Sequence, residues 1–289
     1  MKRRIIVLGI LVILFTACGD PTVDISQVEY NPKLVVEGYV YPGEPVRNIW
    51  LMKNVPLNTQ VNTENLYLTP SDNQVLATIN GVALQYDSEK MNYYTNDLQI
   101  EFGKEYNLVI EAVVEGTALR TEIKTTTPTE GFDLIRNDLG DLVYRNDQVY
   151  IDFHPSPSTG FYAFSINAKD ADFDTFIYDN PYFPNIDSSD LADNFKGFKY
   201  EYNLLLNIQG TIQDTISYHL LGLDTWFYGK YNVIVYAGDK NMKDYLLTVG
   251  EVQEFDGNFH EPRYYFSGDG IGVFGSAIRD TLTFTLLPR

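Results

Sequence analysis

The chain has one thiol, Cys18, and it directly follows Phe15-Thr16-Ala17. Small residues before a cysteine suit a lipoprotein signal peptidase, whose chemistry needs a free thiol to carry diacylglycerol as a thioether. The preceding residues fit the same reading. Lys2, Arg3 and Arg4 form a basic start, and residues 5–15 are an uncharged apolar run. That run has the length of a secretory core and is too short to span a bilayer of ~30 Å. Residues 1–17 are therefore expected to be removed as a signal peptide, leaving Cys18 as a lipidated N-terminus. Two or three acyl chains anchor stably where one would be marginal. Residues 18–31 are polar and non-periodic and read as a tether.

Other residues that could carry chemistry are less organised. Asp170, Asp172 and Asp174 lie two apart, so an extended chain would place them on one face, as a calcium site begins. An EF-hand loop fails here, because its sixth position would be Thr175 and its twelfth Pro181. A solvated acidic loop is the expectation. Gly270, Gly272 and Gly275 match GxGxxG, but only fourteen residues follow and they read as strand, not as the helix a dinucleotide site needs. A tight turn or a close-packed strand is expected instead. His154, His219 and His260 have no metal-ligand spacing, and there is no GxSxG nucleophile turn. No catalytic residue, metal or cofactor is expected, and the chain does not read as an enzyme. Acidic pairs of the glycosidase kind are numerous, but none stands out.

Charge narrows the partners. The chain carries 21 basic and 39 acidic residues, a formal net charge of −18. Nucleic acid is excluded, because binding needs a basic stripe to replace phosphate counterions. Cleavage after residue 17 removes three more cations, so the body will not adsorb to anionic lipid by itself and the acyl chains at Cys18 must hold it. The best binding candidate is the aromatic-rich segment 173–198. It contains Tyr178, Tyr182 and Phe183 among prolines and aspartates and reads as a long loop. Aromatic side chains with polar tips suit sugars and protein interfaces; the competing reading is that these rings only cover the end of the domain.

These residues must be held by a mainly β body. Of all residues, 14% are aromatic, including 22 Tyr and 17 Phe, which favours strands. Short β runs recur between turn signals: 34–41, 46–53, 75–79, 82–86, 91–94, 106–114 and 118–125. Asn80-Gly81 is a strong two-residue hairpin signal, and 115–117 a second. The spacing predicts an N-terminal Ig-like β-sandwich over 32–127. Residues 125–131, with Pro128 and Gly131, mark a boundary. A second β-sandwich-like domain follows over 132–289, with strands near 142–153, 160–168, 200–209, 211–219, 231–236, 263–266 and 277–286. It has one short helix at 239–249, where Met242, Tyr245, Leu246 and Val249 share a face, Asp239 caps and Gly250 ends.

The start Asn31-Pro32-Lys33-Leu34-Val35-Val36-Glu37-Gly38-Tyr39-Val40, soon after Cys18, resembles the opening of the Bacteroidota lipoproteins called the domain of unknown function 4249 family. Asp244-Tyr245-Leu246, Glu261-Pro262 and the run 270–275 are similar to that family's closing pattern. The resemblance implies a cell outer-membrane lipoprotein, surface-exposed or periplasmic, often encoded beside a TonB-dependent receptor. It implies no catalytic residues. The expected function is an accessory lipoprotein that binds a ligand or the TonB-dependent transporter itself. A structural or adhesive surface protein without a role in nutrient uptake is the rival.

Overall fold

The structure is a computed structural model that describes residues 29–56, 59–180, 187–208, 214–221, 224–250 and 261–289. The described residues of 32–54 and 62–289 form one compact unit, the body described below.

The body opens with β1 (Leu34–Val40) and β2 (Pro45–Lys53), an antiparallel pair. Two single-turn helices follow, α1 (Thr63–Leu66) and α2 (Pro70–Asn73). Next come β3 (Leu76–Ile79), β4 (Val82–Ala83), β5 (Gln85–Asp87), β6 (Asn92–Gln99), β7 (Glu105–Val114) and β8 (Thr117–Thr126). The hairpins form where the sequence places them. Asn80 and Gly81 both have positive φ, 50° and 81°, and so do Glu115 and Gly116, at 53° and 81°. That conformation matches the right-handed twist of the paired strands.

The second half contains β9 (Asp133–Leu134), β10 (Asp138–Val143), β11 (Val149–His154) and β12 (Phe161–Ala168). A 3-10 turn (Phe173–Thr175) and α3 (Ser188–Lys199) lead to β13 (Tyr200–Asn207), β14 (Ile216–Leu220) and β15 (Gly229–Gly238). The chain closes with α4 (Lys240–Val249), β16 (Ser267–Gly268) and β17 (Gly270–Leu287). The described residues are mainly β, 51% strand against 14% helix.

Three sheets are formed by the described residues of the body. A nine-stranded sheet runs β13-β12-β15-β17-β1-β2-β6-β5, with β10 also beside β17. A five-stranded sheet runs β16-β8-β7-β3-β4, and a three-stranded sheet β14-β11-β9. The 18-residue β17 joins the halves. Residues 270–276 pair in parallel with β1, and residues 277–286 pair antiparallel with β15. Gly272 permits the first contact. Its φ is +104°, and a Cβ there would sit 2.2 Å from the Val36 carbonyl oxygen, a distance no side chain tolerates. The GxGxxG run is thus a strand packed against backbone.

The first core lies between the β1-β2-β6 part of the large sheet and β3, β7 and β8. Leu34, Val36, Ile49, Leu51, Ile79, Leu108, Ile110 and Ile123 fill it, and Phe274 of β17 joins them. Along β7 every second residue from Tyr106 to Val114 is buried, the period of a strand with one dry face. The second core packs Ile151 and Phe153 of β11 against Tyr162, Phe164, Val233, Val235, Leu282 and Phe284 of the large sheet. On that sheet's other face, Phe161, Ala163 and Ala277 meet Met242 of α4. This double cover explains why Phe161, Tyr162, Ala163 and Phe164 are all buried in succession.

The helix at Lys240–Val249 starts and stops as the sequence indicates, with Asp239 as N-cap and Gly250 as C-cap. The expectation of a single short helix was wrong. Ser188–Lys199, read as part of a loop, is a twelve-residue helix. Asp187 accepts from the Ser189 and Asp190 N–H groups while the Asp190 carboxylate accepts from the Asp187 N–H, a reciprocal cap. Leu191 is buried, and Phe195 and Phe198 pack on the second core, so i, i+4, i+7 spacing supplies the apolar face. The predicted strand at 142–153 is interrupted by a turn, and residues 263–266 are not strand.

Candidate functional site

One end of the second half carries a cavity of about 280 Å³. The turn between β10 and β11 contributes Arg145, Asp147 and Gln148, and the end of β14 contributes His219 and Leu221. The antiparallel register of β11 and β14 sets Tyr150 opposite His219. Their rings stack at 4.7 Å between centroids with planes 22° apart. The Tyr150 hydroxyl donates to Gln148 Oε1 at 2.8 Å, which orients the amide and leaves its N–H₂ group unpaired among the described residues. Asp147 Oδ2 accepts from the Val143 N–H at 2.7 Å. Arg145, at φ +64°, holds the turn. Its Nη2 donates to the Asp179 carbonyl and stands 3.4 Å from the Asp179 carboxylate, while the guanidinium lies 5.5 Å from the Tyr144 ring centroid.

Arg145 thereby ties the cavity rim to the residue after Tyr178. Tyr178 is 48% exposed and meets Phe176 edge-on at 4.9 Å. Phe176 itself is buried, stacked on Trp226 and edge-on to Phe227. The aromatic segment thus divides. Phe176, Phe195 and Phe198 cover the core, whereas Phe173 and Tyr178 face solvent. Tyr182 and Phe183 lie outside the described residues, as do Cys18 and His260.

A larger cleft of about 500 Å³ lies beside the start of α4, lined among others by Thr127, Ser158, Thr159, Asp239, Lys243 and Asp244. Several of its polar groups serve the fold. Asp239 Oδ1 accepts from the Met242 and Ser276 N–H groups at 2.9 and 3.2 Å, and Oδ2 accepts from the Thr125 hydroxyl at 2.5 Å. The Thr127 hydroxyl donates to the Glu101 carbonyl, and that of Thr159 to the Gly238 carbonyl. Burial pushes the Asp239 carboxyl above the usual carboxylate range, and these hydrogen bonds offset that only in part. Asp244 moves the other way: burial would raise it, but hydrogen bonds from Lys240 and Tyr265 outweigh burial and hold it below the usual range. Two carboxyls pushed apart can mark an acid and a base. Here each is engaged by the fold, so neither has the open reach that proton transfer to a substrate requires.

The remaining residues singled out by sequence sit apart. Asp172 caps the 3-10 turn, and Asp170 accepts from the Lys230 N–H. His154 pairs with Asp133 at 3.1 Å on the surface. Among the described residues no group of three His, Cys, Asp or Glu is arranged to hold a metal ion. No helix among them is long and apolar enough to cross a membrane, which says nothing about strands. Tyr150, Gln148 and Arg145 carried no sequence signal. Only the alternation of β11 and β14 hinted that Tyr150 and His219 face outward.

A family model described as a domain of unknown function, DUF4249, matches residues 20–281. The chain belongs to the DUF4249 family. No curated protein matches this DUF4249 chain. Two solved structures resemble it weakly. A chimeric titin Z1Z2 carrying a peptide from decorin is 9% identical, with 89% of this chain and 96% of that one covered at a TM-score of 0.20. A 1.5-MDa bacterial ice-binding adhesin is 10% identical, with 90% and 66% covered at a TM-score of 0.18. At those scores neither carries an argument about this DUF4249 protein.

Proposed function

We propose that this DUF4249 protein is an outer-membrane lipoprotein, anchored through acyl chains on Cys18, whose body binds a ligand or a TonB-dependent receptor without catalysing a reaction. The observation that carries the binding reading is the contrast within one end of the molecule. Exposed Tyr150, His219, Leu221 and Tyr178 stand beside polar groups with bonding capacity to spare, over a core that holds them in place. Solvent-facing aromatics on a rigid frame are the usual anchors of recognition. The anchor reading is supported by the basic start, the apolar run and the sole thiol directly after Ala17. The transporter partnership is supported by the similarity of 31–40 and 270–275 to envelope lipoproteins of Bacteroidota.

Two measurements test this reading. Cys18→Ala should abolish labelling of the protein by a fatty-acid analogue and release it from the membrane fraction. Labelling that persists would overturn the anchor. Cross-linking in native membranes followed by affinity capture of the full chain should recover a TonB-dependent receptor in stoichiometric amounts, and its absence would overturn that partnership.

A further inference from the structure

We infer that the cavity between the β10–β11 turn and the end of β14 is a subsite for one sugar ring of a neutral oligosaccharide. This names a ligand class for the binding reading above and rests on it.

The first argument is the ring pair. A pyranose presents weakly positive C–H groups on one face, and these are attracted to the negative face of an aromatic ring. Tyr150 is 39% exposed, and His219, which lines the cavity, is also exposed. Their mutual stacking and the Tyr150–Gln148 hydrogen bond order both rings before any ligand arrives. Little side-chain freedom is then lost on binding.

The second argument is the kind of polar group beside the rings. A sugar hydroxyl donates and accepts at once, so it needs both partners close together. The rim supplies the unpaired amide N–H₂ of Gln148, the guanidinium donors of Arg145 beyond the Nη2 that serves Asp179, and the second carboxylate oxygen of Asp147. All three are planar groups held by contacts within the protein, which gives them direction as well as bonding capacity.

The third argument is charge. Arg145 is the cation of this rim, and Asp179 offsets it at 3.4 Å. With a net charge of −18 on the chain, the long-range field opposes phosphate, sulfate and uronate groups. A neutral polyol meets no such barrier. The volume of about 280 Å³ lies at the small end of ligand sites and suits one ring. The exposed Leu221 and Tyr178 leave apolar surface nearby for neighbouring sugars.

The test uses the full chain purified in detergent and titrated by calorimetry with maltohexaose, cellohexaose and xylohexaose. At least one should bind saturably. Tyr150→Ala and His219→Ala should each weaken it by about tenfold or more, the scale of a lost stacking partner and its ordering, with an unchanged melting temperature. Tyr150→Phe keeps the ring and should retain most of the affinity, and Gln148→Ala should lose a few-fold. No binding of any of the three sugars overturns the proposal, as does binding that Tyr150→Ala and His219→Ala leave untouched. Receptor capture from membranes is read separately. A recovered receptor with no sugar binding fells the subsite alone, and sugar binding with no receptor fells the transporter partnership alone.

Discussion

Two cavities of the body, one at each of the places described above, differ in what their polar groups are doing. The cleft beside α4 is the larger, about 500 Å³ against about 280 Å³, yet the Thr127 and Thr159 hydroxyls and the Asp239 carboxylate are bound into the fold. The smaller cavity keeps an amide, a guanidinium and the exposed ring of His219, stacked on the exposed Tyr150 beside it, with capacity left over. Size is thus a poor guide to function here. A polar group satisfied within the protein offers a ligand nothing that the ligand would not have to displace.

Substitutions can break that comparison, and the largest effect is expected in the second core, to which Tyr144, Val149, Leu220 and Leu286 of the smaller cavity belong. Phe176→Ala should cost about 3–5 kcal/mol, because it empties a buried site among Trp226, Phe227 and Phe198. Chemical denaturation measures it, and a loss under about 1 kcal/mol would mean that this end is not core.

Asp239→Ala should come next, at about 3 kcal/mol. It removes a helix cap, worth about 1 kcal/mol, and leaves the Ser276 N–H and the Thr125 hydroxyl short of an acceptor. A near-neutral result in the same denaturation assay would return the large cleft to the list of binding sites.

The pH dependence of Asp239 sharpens the point. Its folded-state pKa lies above the ordinary 3.8 because of burial, so the folded protein holds this proton more tightly than the unfolded chain. Its contribution to stability therefore falls as pH rises from about 3.8 through the raised value, and is regained as pH falls. Asp239→Asn cannot titrate. The stability of wild type minus that of the variant should grow as the pH is lowered from neutral through that window. A flat difference in pH-dependent melting would show the carboxyl to be unperturbed.

The smallest effect is expected at Tyr178, which is 48% exposed. Tyr178→Ala should change stability by no more than about 0.5 kcal/mol. A melting temperature several degrees lower would place this ring in the core's cover with Phe176.

Local chemistry was legible in the sequence, and distant pairing was not. Asn80-Gly81 announced its hairpin because few residue pairs accept two positive φ values, and Met242 to Val249 announced α4 by period and caps. Helix α3 was missed although Asp187, Asp190, Leu191, Phe195 and Phe198 held the signal. In the sequence these aspartates read as charge, whereas Asp187 and Asp190 cap the helix; the rings read equally as ligand surface or as cover of the domain's end, and most of them pack on the core. Of the described rings in the segment 173–198, only Phe173 and Tyr178 face solvent. The stack of Tyr150 on His219 joins residues far apart in the chain, and only the register of β11 against β14 creates it. The parallel pairing of β1 with β17 was hidden for the same reason, since nothing in 34–40 specifies which distant strand will lie beside it.

That pairing governs the order in which the molecule can be completed. The residues that flank β1 are β2, made soon after it, and residues 270–276, made more than two hundred residues later. Until β17 arrives, β1 has an open edge and the first core lacks Phe274. A nascent chain emerging N-terminus first holds this apolar edge without its partner until those residues are made, a state prone to mispairing. Contacts across so long a stretch of chain also slow folding, because loop closure precedes any gain from them. Keeping the chain unfolded and chaperoned until residue 287 is available avoids the hazard. By the same logic, loss of residues 270–289 exposes both halves of the body at once.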